Sequence, residues 1–138
     1  MSVRIGERSE GKLQVLNDGR ILAQYTLQKC KSDKTFPKSS RWIMANCIMD
    51  ECLNAISDIT KANAITFSKE SILWRQKLQY SAKGRLESME TLLDLAYNDD
   101  SFHLTPKDVE HWVMLIENTI KRLSAWIKSD KERLNNSK

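Results

Sequence analysis

The clearest helical pattern in the chain lies in residues 105–133, which read TPKDVEHWVMLIENTIKRLSAWIKSDKER. Thr105 is a favoured N-cap residue, Pro106 suits the first helical position, and Asp108 complements the dipole of the first turn. Apolar residues then recur at three- and four-residue steps, which is typical of an amphipathic helix. These residues are Val109, Trp112, Val113, Ile116, Ile120, Leu123 and Ile127. The pattern predicts a helix from residue 106 to about residue 133.

Three earlier stretches carry the same periodicity and predict helices over residues 12–31, 40–63 and about 68–97. In the first helix the predicted core seam is Leu13, Leu16, Ala23, Leu27 and Cys30, widened by Val15, Leu22 and Tyr25. In the second helix it is Ala45, Ile48, Cys52, Ala55, Ile59 and Ala62, broadened by Met49, Leu53 and Ile56. In the third helix it is Ala82, Leu86, Met89, Leu93 and Ala96. Pro37 and the polar segment 98–101 mark breaks between them.

Length and composition bound the fold. The chain has 138 residues with only 4 Gly and 2 Pro, too few for the many turns of an all-β domain. Four helices of about 20–30 residues with short links favour one antiparallel bundle. We therefore predict an all-α, antiparallel up-down-up-down four-helix bundle that forms a single domain over residues 1–138. Residues 1–11 are expected to be flexible and residues 134–138 to fray.

Localisation follows from what the sequence lacks. No apolar run approaches the roughly 18–20 residues that span a bilayer, and residues 1–8 lack the apolar segment of a secretory signal. The chain has 3 cysteines, and an odd number without an export signal favours reduced thiols. We expect a cytoplasmic protein with no membrane partner.

The sequence lacks the residue patterns of common catalytic and metal-binding sites. A di-iron bundle needs Glu-x-x-His pairs, and no glutamate lies three residues before His103 or His111. The sequence also has no glycine-rich phosphate loop, no Cys-x-x-Cys pair and no nucleophile elbow. We expect no enzymatic activity, no cofactor, no metal site and no small-molecule substrate.

The distribution of charge is more informative than its total of +4. Residues 61–85 hold six basic groups and one acid, whereas residues 86–118 hold one basic group and eight acids. In an antiparallel bundle the basic stretches would meet at one end, which favours a polyanionic partner such as nucleic acid. The predicted nucleic-acid-binding residues are Arg8, Lys12, Lys61, Lys69, Arg75, Lys77, Lys83, Arg85, Lys121, Arg122, Lys128, Lys131 and Arg133. An ordinary solvated face or an acidic protein partner explains the same charges.

Trp74 lies in the basic start of the third helix, next to Arg75. We expect it to pack at a subunit interface or to stack on a base, because small bundles often self-associate to cover aromatic surface. Trp112 and Trp126 flank the inward stripe of the fourth helix and are expected in the core.

The fourth helix resembles a known family. The residues Leu104-Thr105-Pro106-x-x-Val109-Glu110, Leu115-Ile116 and Leu123-Ser124-x-Trp126-Ile127 are similar to the last helix of Avd, the accessory variability determinant of diversity-generating retroelements. The Phe36-Pro37-Lys38 turn also resembles the Pro-basic turn of Avd and of its wider four-helix superfamily. That superfamily includes proteins encoded in intervening sequences of bacterial 23S ribosomal RNA genes. The resemblance spans about residues 12–130.

The resemblance implies a basic four-helix bundle that assembles as a homopentamer and has no catalytic centre. It also implies binding to a reverse transcriptase and its template RNA, as a scaffold for mutagenic retrohoming. The Leu92–Ala96 segment, acidic at Asp94, departs from the arginine-bearing pattern of the family at those positions. Two alternatives remain: an intervening-sequence-type bundle without a polymerase partner, and a helical protein–protein adaptor.

Overall fold

The computed structural model describes the backbone of residues 2–136 and the side chains of residues 14–136. Over these residues it is all-helical, with helices α1 (Ser2–Lys31), α2 (Arg41–Ala64), α3 (Ile72–Tyr97) and α4 (Pro106–Asn136), and no strand. The prediction of an all-α chain with four helices is confirmed. The bounds of α2, α3 and the start of α4 agree with the predicted ones to within a few residues.

Helix α1 differs most from its prediction. It begins at Ser2 rather than near Lys12, since residues 2–11 contain no proline to interrupt the backbone. Its buried face is also rotated: Val15, Gly19, Leu22 and Cys30 are buried, whereas Leu16, Ala23 and Leu27 are only partly buried. Cys30 of the predicted seam is buried, as are Val15 and Leu22, which were expected to widen it. The fully buried face is shifted from Leu16 and Ala23 because Gly19 and Thr26, which lack large apolar side chains, face inward. The side chain of Leu13 lies outside the described residues. A Cβ at Gly19 would lie 2.6 Å from Ile56 Cδ1, so this glycine allows α1 and α2 to approach closely.

The four helices enclose one hydrophobic core. Helix α1 packs against α2 and α4, and α3 also packs against α2 and α4. Every predicted seam residue of α2 and α3 is buried, as are Trp112, Ile116, Leu123, Trp126 and Ile127 of α4. Leu53 is the exception among the residues expected to broaden the α2 seam, because it is exposed.

The N-terminus of α4 has the predicted cap. The Thr105 hydroxyl accepts a hydrogen bond from the Asp108 backbone N–H at 3.1 Å. The link before it packs on the first link, since the His103 backbone N–H donates to Thr35 O at 2.8 Å. Phe36 and Phe102 meet there with ring centroids 5.4 Å apart. These contacts hold the α1–α2 and α3–α4 links together.

No helix within the described part of the chain is both long enough and apolar enough to cross a membrane. The flexibility predicted for residues 1–11 and the fraying predicted for the C-terminus stay predictions. Met1 and residues 137–138 lie outside the described residues.

Candidate nucleic-acid interface

The predicted basic residues separate into two groups according to residue type. Seven lysines form no ion pair with any of the residues that the structure describes; all are exposed except Lys83, which is partly buried. They are Lys61, Lys69, Lys77, Lys83, Lys121, Lys128 and Lys131. The four predicted arginines with described side chains instead contact carboxylates of the bundle. The side chains of Arg8 and Lys12 lie outside the described residues.

Arg75 is a correction to the prediction, because it lies inside the bundle and is 0% exposed. Its Nε donates to Asp130 Oδ2 at 2.7 Å and its Nη2 donates to Asp130 Oδ1 at 3.0 Å. Its Nη1 donates to Ile65 O at 3.1 Å, and the guanidinium lies near the rings of Phe67 and Trp126. A guanidinium paired in this bidentate manner cannot also bind a phosphate at the surface.

The partners of Arg75 were missed from the sequence. Asp130 is buried and also accepts a hydrogen bond from Gln79 Nε2 at 2.9 Å. The sequence spacing of Gln79 and Asp130 does indicate that both are buried. Gln79 follows Arg75 by four residues on the Ala82–Leu86 stripe, and Asp130 follows Ile127 by three on the α4 stripe. Polar residues in register with apolar stripes are candidates for buried pairs.

The other arginines are partly exposed but already paired. Arg85 Nε lies 3.1 Å from Asp58 Oδ2, and Arg122 Nε lies 2.7 Å from Asp18 Oδ2. Arg133 Nη1 lies 3.7 Å from Asp130 Oδ1, and its guanidinium carbon lies 3.8 Å from the centroid of the Phe67 ring. A phosphate would have to displace a carboxylate from these groups, so the lysines form the better candidate interface.

The Arg75–Asp130 pair positions part of this lysine surface. It joins the start of α3 to the last turns of α4, while the bond to Ile65 O attaches the α2–α3 link. Lys77 and Lys131, close to the paired residues in sequence, are therefore held at the same end of the molecule. Lys131 Nζ lies 5.1 Å from the centroid of the Tyr80 ring on α3, which is direct contact across the two helices.

The opposite end carries balanced charge. Lys29 Nζ lies 3.0 Å from Asp108 Oδ1, and Arg41 pairs with Asp33. Hydrogen bonds from Lys29 and Thr105 lower the pKa of the Asp108 carboxyl and outweigh its partial burial. These pairs neutralise part of the acidic charge near the α1–α2 and α3–α4 links.

Between these two ends, acidic side chains of α3 and α4 face each other. Burial raises the pKa of Glu90 to about 7, and a hydrogen bond with Glu117 and the charges of Glu117 and Glu87 add to this effect. The Glu90 carboxyl therefore holds its proton to a higher pH than an isolated glutamate does. No cluster of three or more His, Cys, Asp or Glu side chains suited to a metal ion occurs among the described residues.

A shallow groove of about 370 Å³ lies between α1 and α4. It is lined by Asp18, Asn118, Lys121, Arg122 and Ala125. The Asp18–Arg122 pair occupies its wall, which leaves Lys121 as its unpaired cation. Lys121 therefore extends the lysine surface along α4.

Comparisons with models of protein families, with characterised proteins and with solved structures gave no match to this chain.

Proposed function

We propose that this chain is a non-catalytic, nucleic-acid-binding accessory protein of the Avd type. In this proposal it binds the template RNA and the reverse transcriptase of a diversity-generating retroelement in the cytoplasm, as a homo-oligomeric scaffold, expected to be a pentamer. The observation that carries the proposal is the set of lysines that have no carboxylate partner among the described residues. Phosphate contacts require only such cations within reach of the backbone, and they give affinity without sequence readout.

An antiparallel up-down-up-down arrangement is part of the proposal, since it brings the basic segments together. Between α1 and α4, Asp18 contacts Arg122 while Thr26 accepts a hydrogen bond from Trp112, which supports opposite directions for these two helices. Contacts between the other helices support the same antiparallel arrangement. They are Ser81–Asp58 and Arg85–Glu51 between α2 and α3, and Arg75–Asp130 and Glu90–Glu117 between α3 and α4.

Self-association is supported by large apolar side chains that are exposed on several helices. Association between copies would remove such side chains from water, which is favourable. Among these side chains are Ile21, Ile43, Leu53, Leu95, Tyr97 and Met114. Light scattering at micromolar concentration tests the assembly, and a monomer would contradict it.

The electrostatic part of the proposal is tested by titrating a labelled structured RNA with the full chain at several salt concentrations. We expect the logarithm of the binding constant to fall linearly with the logarithm of the salt concentration. The test variant replaces four lysines by glutamine: Lys77, Lys83, Lys128 and Lys131. It should bind ~100-fold more weakly at low salt, with a salt slope smaller by about 3.

The matched control replaces four exposed lysines at the other end: Lys31, Lys34, Lys38 and Lys107. This variant changes the net charge by the same amount, so a specific lysine surface predicts near wild-type binding. Equal losses in both variants, or no binding of wild type at low salt, would refute the proposal.

The polymerase partner is tested by co-purification with a reverse transcriptase encoded beside this chain. Paired template and variable repeats next to that gene would support the retroelement assignment. Their absence, with RNA binding intact, would favour the intervening-sequence alternative, and RNA binding lost altogether would favour the protein adaptor.

A further inference from the structure

The first two turns of α3 present an exposed aromatic and basic face. Leu73 is 73% exposed, Trp74 is 66% exposed and Tyr80 is 45% exposed, and Lys77 between them is also exposed. Their spacing places them on one side of the helix, opposite the side where Arg75 and Gln79 are buried. An exposed cluster of large apolar side chains is more informative about binding than a single exposed one.

Each of the two rings has a lysine ammonium over one face. Lys77 Nζ lies 5.7 Å from the centroid of the Trp74 ring, and Lys131 Nζ lies 5.1 Å from the centroid of the Tyr80 ring. Both rings keep their exposure with the lysines in place, so each retains exposed ring surface on which a planar group can stack. A ring with a cation over one face can stack a nucleobase on its remaining surface while the cation neutralises the adjoining phosphate.

The buried network beneath this face holds it in position. Arg75, adjacent to Trp74 in sequence, is fixed by Asp130 and Ile65, and Gln79, adjacent to Tyr80, donates to the same Asp130. Asp130 is in turn next to Lys131 in sequence. The backbone positions of both rings and of Lys131 are therefore set before any ligand binds, which lowers the cost of ordering them.

We propose that this face, composed of Trp74, Lys77, Tyr80 and Lys131, binds unpaired, single-stranded nucleic acid. Bases stack on the Trp74 and Tyr80 rings, and the phosphates between them contact the Lys77 and Lys131 ammonium groups. The inference rests on the proposed nucleic-acid binding and specifies its substrate class. Bases in a duplex already stack on each other and offer no free ring face, so an exposed indole adds nothing to duplex binding.

The test compares three labelled ligands of equal length with the full chain: an oligouridine, the same backbone without bases, and a perfect duplex. We expect the oligouridine to bind ~10-fold more tightly than the abasic strand and to quench tryptophan emission. Trp74→Ala should weaken oligouridine binding roughly 5- to 100-fold, whereas Trp74→Phe should retain most of it, because stacking needs a ring. Neither variant should change binding of the abasic strand.

Trp42→Ala is the matched control, since Trp42 is 67% exposed but lies at the start of α2. It should leave oligouridine binding unchanged. Equal binding of the intact and abasic strands, or equal losses for Trp42→Ala and Trp74→Ala, would overturn the stacking inference. A Trp74→Ala variant with altered mass in light scattering would overturn it too, by placing Trp74 at an interface between copies.

The two proposals fail in different ways. If none of the three ligands binds at low salt, the nucleic-acid function itself is wrong. If all three bind with lysine dependence and Trp74→Ala changes nothing, the nucleic-acid function stands and the stacking face is wrong.

Discussion

Arg75 and Lys77 lie two residues apart on α3, yet their charges have different roles. Arg75 is buried against Asp130, while Lys77 is exposed beside Trp74. A guanidinium forms two parallel hydrogen bonds with a carboxylate and is weakly hydrated, so it suits a buried pair better than an ammonium does. Among the predicted basic residues, this preference agrees with the arginines that pair with carboxylates of the bundle and with the lysines that remain at its surface.

Removing the carboxylate from the buried pair should destabilise the protein strongly. Asp130→Asn leaves the Arg75 charge buried without its counter-ion, and we expect a loss of about 3–5 kcal/mol in the free energy of unfolding. Urea denaturation followed by circular dichroism measures it. Glu132→Gln, on the exposed face of the same turn, is the control and should change stability by no more than ~0.5 kcal/mol.

The double variant Arg75→Met, Asp130→Asn tests whether the unpaired, buried Arg75 charge causes this loss of stability. It removes both the buried charge and its partner, so it should be more stable than Asp130→Asn alone. A double variant that is less stable than the single one would contradict this account of the pair.

Glu90 should make stability fall as the pH rises. Its pKa is raised from 4.5 to about 7 in the folded protein, so its favourable contribution is fully present below about 4.5 and is lost as the pH rises through about 7. Glu90→Gln cannot ionise. We therefore expect the variant to match wild type near pH 4.5 and to exceed it by about 1 kcal/mol at about pH 8, allowing for solvent screening.

Thermal denaturation over this pH range measures the difference. Glu110→Gln, exposed on α4, should follow the wild-type pH profile. Parallel profiles for wild type and Glu90→Gln would contradict the assignment of the raised pKa to this site.

At the scale of single elements, periodicity predicts well wherever the inward face carries large apolar side chains. The seams of α2 and α3 are buried as expected, and the Thr105 cap forms as its spacing indicates. The α1 seam was partly misplaced because Gly19 and Thr26 face inward, and neither contributes to an apolar pattern. The face of α1 that is buried is set instead by the neighbouring helices, since Gly19 allows close approach to Ile56 and Thr26 accepts a hydrogen bond from Trp112.

Removing the α4 cap should destabilise this element. Thr105→Ala deletes the hydroxyl that accepts from the Asp108 N–H, with an expected cost of about 1 kcal/mol. Thr105→Ser keeps the hydroxyl and should restore most of the loss. Chemical denaturation compares the three proteins, and equal losses for Ala and Ser would show that the hydroxyl is not the cause.

For the whole molecule, the three cysteines differ in burial, so their reactivity with a thiol reagent reports on global unfolding. Cys47 is exposed, whereas Cys30 and Cys52 are buried in the core. Burial raises the pKa of Cys30 to about 12 and that of Cys52 to about 11, so both thiols stay protonated and unreactive at neutral pH.

A thiol reagent should therefore modify one cysteine per folded chain rapidly and all three only after denaturation. Absorbance of the released chromophore counts them. Cys47→Ser should abolish the rapid phase and leave the slow one. Rapid reaction of all three in native buffer would contradict the buried placement of Cys30 and Cys52.

The sequence was sufficient to predict the four helices, most of their inward residues and the surplus of basic side chains. Those features depend on neighbours within one helix, where spacing, caps and breaks act locally. Tertiary structure decided which basic residues are available. Arg75 and Asp130 are 55 residues apart, and their pairing depends on the relative rotation of α3 and α4, which the spacing within either helix leaves open. The helices therefore follow from local patterns, and the lysine surface follows from how their faces meet.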